Sequence, residues 1–395
     1  MNISSFSLAR LPRIEFGAGV LLKLPGLLAP YGKHFLLVLG RCSFEQSDAW
    51  ERLARQLTGA GLSWDILRVP GEPSPELVDD AVRSHRQGGY QAVVGIGGGS
   101  VLDAAKAIAG LLIPGNSVMD HLEGVGPELP YRGPALPFIA VPTTAGTGSE
   151  ATKNAVLSTH GAGGYKKSFR DEQLVAQVAL VDPDLLARCP KGIIAANGMD
   201  AFTQLLESYV SLKAGPLTDS LAWGGMKAAR DGLLPFFADA GDGTARARMA
   251  YAALISGITL AQTGLGSVHG LAAPLGAFFP IPHGVACGAL VAEATRLNIV
   301  ALEARAPASP ALKKYALAGK LLAREDRLDD AAARARLVDI LQDWTARLEL
   351  PRLGHYGVTP ADIPRIVAHS RGSSMKTNPL LLTDDELSRL VASRI

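Results

Sequence analysis

Short apolar runs alternate with segments of helical period over the first 180 residues. His34–Leu39 (HFLLVL), Ser63–Arg68, Ala92–Ile96 and Phe138–Val141 are predicted strands. Between them Ser47–Gly59, Ser74–Gln87 and Val101–Leu112 place apolar residues at helical spacing. This alternation calls for a parallel sheet with crossover helices. The unbroken apolar character of VVGI and FIAV implies burial on both sheet faces. After Val181-Asp182-Pro183 the texture changes to Ala- and Leu-rich helical periodicity. Leu217–Leu234, Thr244–Thr263, Leu312–Ala323, Asp329–Leu348 and Pro360–Ser370 are predicted helices. The division expected is an α/β domain over 1–184 and an all-α domain over 185–395.

Composition narrows the function classes. The chain has 395 residues, 48% of them hydrophobic and 19% charged, enough for a large core. With 39 Lys+Arg against 37 Asp+Glu there is no basic excess to neutralise a phosphate backbone, so nucleic acid is not an expected partner. The N-terminal residues lack the apolar core of a signal peptide. Apolar runs break at Gly, Pro or Lys before membrane-spanning length, so no membrane partner is expected. Cys42, Cys189 and Cys287 are odd in number and far apart, with no mutual zinc spacing; a reducing cytoplasm is expected. The 43 glycines exceed the usual share of ~7 per cent, which suggests close backbone approach at several places.

Two loops concentrate candidate chemistry. Gly97-Gly98-Gly99-Ser100 follows the strand ending at Ile96 and opens the next helix, presenting bare N–H groups to a phosphate at a positive helix terminus. Ser100 with Asp103 also has the spacing of a capping box, which an ordinary strand–helix turn would show too. The spacing is not G-x-G-x-x-G. The second loop, Pro142 to Glu150, carries Thr143, Thr144, Thr147 and Ser149 with two glycines just past a buried strand. Open α/β sheets bind ligands at that edge.

From Met249 to Ala292 there is no Lys, Arg, Asp or Glu, and the only imidazoles are His269 and His283, each followed by Gly. Single buried histidines are usually core residues; two in a segment without charge are candidate metal ligands. Asp200 and Gln204, four apart, share one helix face and supply a candidate oxygen partner.

GGGSVLDAAKAIA (Gly97–Ala109), VPTTAGTGSE (Val141–Glu150), LVDPDLL (Leu180–Leu186), NGMDAFTQLLESYVS (Asn197–Ser211) and VHGLAAPLGAFFPIPHG (Val268–Gly284) together resemble the iron-containing (group III) alcohol dehydrogenases over nearly the whole chain. The resemblance implies a Rossmann-like N-terminal domain joined to an all-α C-terminal domain, as in the dehydroquinate synthase fold. It implies hydride transfer between NAD or NADP and a small alcohol or carbonyl substrate in an interdomain crevice, assisted by Fe²⁺ or Zn²⁺, and a homodimer or larger. Asp200, His269 and His283 match the family's metal ligands and are the expected catalytic centre. Gly98, Gly99 and Ser100 would hold the pyrophosphate, with Gly97 and Asp103 in the same cofactor-binding segment; Thr143, Thr144, Thr147 and Ser149 would line the nicotinamide-ribose side, and Lys166 would bond that ribose.

Three departures bear on this expectation. The family's second ligand is a His; here it is Gln204, a harder and weaker donor that would loosen the metal. Ala273 stands where many members have a His that relays the proton, leaving that task to His283 or to a water chain. Gly40 replaces a carboxylate that NAD-preferring members place on the ribose, and Arg41 with Ser43 could hold a 2′-phosphate, which favours NADP while leaving NAD open. Phe278 and Phe279 suggest an apolar substrate pocket, while Tyr165, Lys167 and Arg170 read as an exposed loop. A metal-independent reductase of the maleylacetate type remains the alternative. A cyclising lyase of the dehydroquinate synthase kind would need a Glu-His-His set and a basic phosphate cluster that are not visible. A non-catalytic nucleotide-binding protein is the remaining rival.

Overall fold

The computed structural model describes residues 6–161 and 163–395, and the apolar runs fold within it as strands. In chain order these are β1 (Arg13–Phe16), β2 (His34–Leu39), β3 (Ser63–Arg68), β4 (Ala92–Gly97), β5 (Phe138–Pro142), β6 (Asn154–Thr159), β7 (Tyr165–Arg170) and β8 (Val178–Val181). Six form one sheet in the order β1-β8-β5-β4-β2-β3, with every pairing parallel. Alternate residues of the central strands enter two separate cores. Leu36, Val38, Val93, Phe138 and Ala140 pack on one face; Phe35, Leu37, Leu39, Val94, Ile96, Ile139 and Val141 pack on the other. Continuous apolar strands are what a sheet covered on both faces requires.

The crossover helices are α1 (Leu24–Leu28), α2 (Asp48–Gly59), α3 (Pro75–His85) and α4 (Gly99–Leu111). The Ser47 and Ser74 side chains cap α2 and α3, which sets their starts one residue inside the predicted bounds. Helix α4 starts at Gly99, two residues before the expected Val101, with Gly98 as its cap residue and no side-chain cap. The Ser100–Asp103 capping box therefore does not form: Ser100 already lies inside the first turn.

Strands β1, β6, β7 and β8 escape the sequence pattern. Strand β1 is an edge strand with Ile14 and Phe16 exposed. The β6–β7 pair is antiparallel, so Tyr165, Lys167 and Arg170 lie on a strand and not in a loop. Its basic residues mask the strand period; Phe169, between Ser168 and Arg170, is fully buried and joins Ala155 and Leu157 in the core.

One compact unit comprises Arg10–Thr159 with Gly164–Cys189, and a second is built on Pro190–Ile395. The second unit contains α5 (Lys191–Val210), α6 (Pro216–Ala238), α7 (Gly243–Thr263), α8 (Ser267–Phe278), α9 (His283–Arg305), α10 (Pro310–Ala323), α11 (Asp330–Arg347), α12 (Ile363–His369) and α13 (Asp384–Ala392). Every residue of α5 after Asn197 is buried, including the polar Asp200, Gln204 and Glu207, as befits a central helix. Among the described residues one helix, α9, is long and apolar enough to cross a membrane by length and composition. This corrects the expectation that no segment qualifies. In this fold 83% of its apolar window is buried.

The uncharged segment is helical despite its Gly and Pro residues, because the glycines sit at close contacts. A Cβ on Gly284 would lie 2.2 Å from the Ala196 carbonyl oxygen of α5, and one on Gly270 would lie 3.0 Å from the Ser370 carbonyl oxygen. The His-Gly pairs thus place each imidazole beside a point where backbone meets backbone.

Candidate active site

In the α/β unit, the glycine and Thr/Ser loops pack on each other at the carboxyl ends of β4 and β5. The Thr143 N–H donates to the Gly97 carbonyl at 2.9 Å. A Cβ on Gly98 would meet the Thr144 side chain at 3.2 Å, and one on Gly99 would meet Thr147 at 2.7 Å. Ser149 is buried; its N–H donates to Thr147 Oγ1 and its hydroxyl to Asp103. Gly97, Gly98, Gly99, Ser100, Asp103, Thr143, Thr144, Thr147 and Ser149 therefore share one edge of the sheet. Strand β2 pairs with β3 on one side and β4 on the other, so the chain reverses its winding there. Gly40 and Arg41 follow β2 at this reversal, where doubly wound sheets open a ligand crevice. Arg41 is exposed, and its Nε donates to the Pro70 carbonyl at 2.8 Å.

A residue not singled out by the sequence reading holds these loops together. Lys106 on α4 is completely buried. Its ammonium donates to the Ser149 carbonyl and hydroxyl, Thr152 Oγ1 and the Asn154 carbonyl at 2.8–3.0 Å, with Asp103 Oδ1 at 3.7 Å. Burial pushes its pKa down to about 8 against the opposing pull of Asp103 and Glu150. The signal was a lone Lys in an otherwise apolar helix, which needs buried acceptors. Lys166 is paired with Glu72 at 2.8 Å and Arg170 with Glu123 at 2.7 Å.

In the helical unit, Asp200 on α5, His269 on α8 and His283 at the start of α9 converge. Asp200 Oδ1 lies 3.2 Å from His269 Nε2 and 3.8 Å from His283 Nε2. A fourth donor joins them: Cys287, one turn along α9 from His283, with Sγ 3.7 Å from His269 Nε2 and 3.8 Å from His283 Nε2. All four donor atoms lie within 4.8 Å of one another. Glu207, two turns along α5 from Asp200, accepts from His269 Nδ1 at 2.6 Å and from the Val268 N–H at 2.7 Å. With Nδ1 bonded to Glu207, Nε2 is the ring nitrogen turned to the cluster, the outer-shell arrangement of metal-ligating histidines.

Gln204 is buried beside this group but turned from it. Its Nε2 donates to Asp200 Oδ1 at 3.1 Å, and its Oε1 accepts from Ser256 at 2.8 Å. An ionised carboxylate offers no proton, so only the amide NH₂ can face Asp200. Burial opposes ionisation of Asp200, but His283 and His269 outweigh it and hold its carboxyl below the usual range. Burial likewise works against the His269 imidazolium; Cys287, Glu207 and Asp200 outweigh it and raise its pKa well above the ordinary value. A carboxylate, two imidazoles and a thiol this close together form a donor set that fits a divalent metal.

The chain matches the family model for iron-containing alcohol dehydrogenase over residues 12–183, and that for the C-terminal domain of the Fe-containing alcohol dehydrogenase family over 194–395. It belongs to the iron-containing alcohol dehydrogenase family. It is 29% identical over 388 residues to the NAD-dependent methanol dehydrogenase of Bacillus methanolicus, covering 97% of this chain and 98% of that protein. It is 32% identical over 332 residues to the probable alcohol dehydrogenase EutG of Escherichia coli, covering 84% and 79%. A solved sulfoacetaldehyde reductase from Bifidobacterium kashiwanohense, in complex with NAD⁺, superposes with a TM-score of 0.84 at 27% identity over 99% of each chain. The fold is that of the iron-containing alcohol dehydrogenases, and the protein is an NAD(P)-dependent oxidoreductase of alcohols and carbonyls.

Within this family context two residues missed in the sequence stand out. Cys287 follows His283 at the same four-residue spacing that drew attention to Asp200 and Gln204, but its partners are histidines and a carboxylate, not other cysteines. Glu207 extends the same face of α5. Phe278 lies under the Arg365 guanidinium at 3.7 Å and beside His369, so its ring is engaged within the helical unit. Ala273 sits one turn after His269 on α8.

Proposed function

We propose that this enzyme transfers hydride between a nicotinamide cofactor held by the α/β unit and a small alcohol or carbonyl held at a metal in the helical unit. The observation that carries the reading is the group of four buried or half-buried donor atoms within 4.8 Å, backed by Glu207. Asp200, His269 and His283 would hold the metal, which when bound supplies Lewis-acid polarisation of the substrate oxygen. Glu207 holds the tautomer of His269, and Gln204 holds Asp200 Oδ1 toward the two imidazoles. At the sheet edge, the uncapped first turn of α4 supplies N–H groups to the pyrophosphate. Thr143, Thr144 and Thr147 line the adjoining loop, and Ser149 and Asp103 hold its shape.

The test is elemental analysis of the purified protein, then chelation and add-back with aldehydes under both NADH and NADPH. Activity that falls on chelation and returns with the metal supports the reading; full activity after chelation replaces it with metal-independent reduction. Glu207→Gln is expected to lower metal affinity by about 10–100-fold, measured by competition with a chelator. An unchanged affinity would remove Glu207 from the site.

The cofactor reading is NADP(H), from Gly40 and Arg41 beyond β2. Loss of one charged hydrogen bond costs about 1.5–3 kcal/mol. Arg41→Ala is therefore expected to weaken NADPH by about 10–100-fold while leaving NADH unchanged, read by fluorescence titration. Equal weakening of both cofactors, or of neither, contradicts a 2′-phosphate contact.

A further inference from the structure

We infer that Cys287, in place of Gln204, supplies the fourth protein donor to the metal, giving an Asp-His-His-Cys site selective for zinc over iron. The inference rests on the metal reading above and specifies its donor set.

Geometry is the first support. Bond lengths of about 2.0–2.1 Å for nitrogen or oxygen and about 2.3 Å for sulfur put the edges of a tetrahedral site near 3.3–3.6 Å. Of the six donor separations, four run from 3.2 to 3.8 Å, two of these involving the Cys287 sulfur, and all six lie within 4.8 Å, so the set would contract slightly around an ion. The second support is that Gln204 is committed elsewhere. Its amide nitrogen donates to Asp200 Oδ1 at 3.1 Å and its oxygen lies 2.8 Å from the Ser256 hydroxyl, which also reaches the Ala253 carbonyl.

The third support is how the thiol is placed. Cys287 is fully buried, and the close fit of α9 on α5 sets it facing Asp200. One turn on from Gly284, a Cβ on Gly288 would lie 3.0 Å from the Met199 side chain, next to Asp200. The Cys287 sulfur lies within 4.8 Å of the Asp200 carboxylate. A buried thiol amid two imidazoles and a carboxylate is poorly explained as apolar filling. As a metal ligand it loses its proton to solvent and completes the set.

The consequence is chemical. Asp200 and the Cys287 thiolate together carry two negative charges, which a divalent ion neutralises. Thiolate is a soft donor that favours zinc over harder ions. The neutral site polarises a carbonyl less strongly than one with three imidazoles and a single carboxylate would.

Cobalt(II) titration of the chelator-stripped, full-length enzyme tests this directly. The expected result is a thiolate-to-cobalt charge-transfer band in the near ultraviolet together with visible ligand-field bands. In Cys287→Ser and Cys287→Ala the near-ultraviolet band disappears, and in Gln204→Ala it persists. Zinc over iron(II) preference, measured by competition, falls by about tenfold or more in Cys287→Ser. Visible bands without the charge-transfer band in the wild-type enzyme overturn the Cys287 assignment and leave the metal reading intact. No cobalt absorbance at all overturns both. If the Cys287 variants do not fold, zinc-edge X-ray absorption of the wild-type enzyme decides: one sulfur scatterer supports the assignment, and none refutes it.

Discussion

Asp200→Asn is expected to purify without metal and to lose about 10³-fold in kcat/KM, the size seen when a main electrostatic stabiliser of a developing oxyanion is removed. Asparagine keeps the shape of the side chain, and its carbonyl oxygen can still accept from Gln204 Nε2, which now reaches Asp200 at 3.1 Å. What is lost is the negative charge that His269 and His283 share, at 3.2 and 3.8 Å. Loss of metal alongside a preserved circular dichroism spectrum would assign the effect to coordination and not to folding. A variant that retains both metal and turnover would end the case for this cluster as the reaction centre.

Lys106→Met should be the most damaging change in the α/β unit. Methionine fills the space of the stem but removes an ammonium that donates to Ser149, Thr152 and Asn154. Two carbonyl oxygens and the Asp103 carboxylate are left buried without it. Breaking a buried ionic arrangement by deleting one partner costs about 3–5 kcal/mol. Denaturant unfolding should show a loss of unfolding free energy of that size, read as a lowered midpoint at constant slope. Cofactor affinity should fall as well, because Lys106 ties α4 to the end of the loop carrying Thr147 and Ser149. An unchanged midpoint would mean that the loops hold their shape by the Gly99–Thr147 contact alone.

The parallel sheet was legible because FLLVL, VVGI and FIAV carry no polar side chain, which only a strand buried on two faces requires. The edge strand β1 and the β6–β7 pair were not, because their exposed faces carry charge and hide the period. Helix α4 begins two residues early because Gly98, with no side chain, takes the cap position that Ser100 was expected to hold.

At the metal cluster, periodicity within one helix was readable and distance between helices was not. The sequence by itself determined that Asp200 and Gln204 share a face of α5 and that two histidines lie in a segment without charge. Which atoms meet was decided only in three dimensions. Gly284 lets α9 settle on the Ala196 carbonyl, which sets His283 and Cys287 opposite Asp200. Glu207 then fixes His269 from the far side. Gln204 is drawn away by Ser256, a residue 52 positions along the chain. Spacing along a helix is set by its 3.6-residue turn, whereas the choice between an amide and a thiol as fourth donor is set by which neighbour already holds the amide.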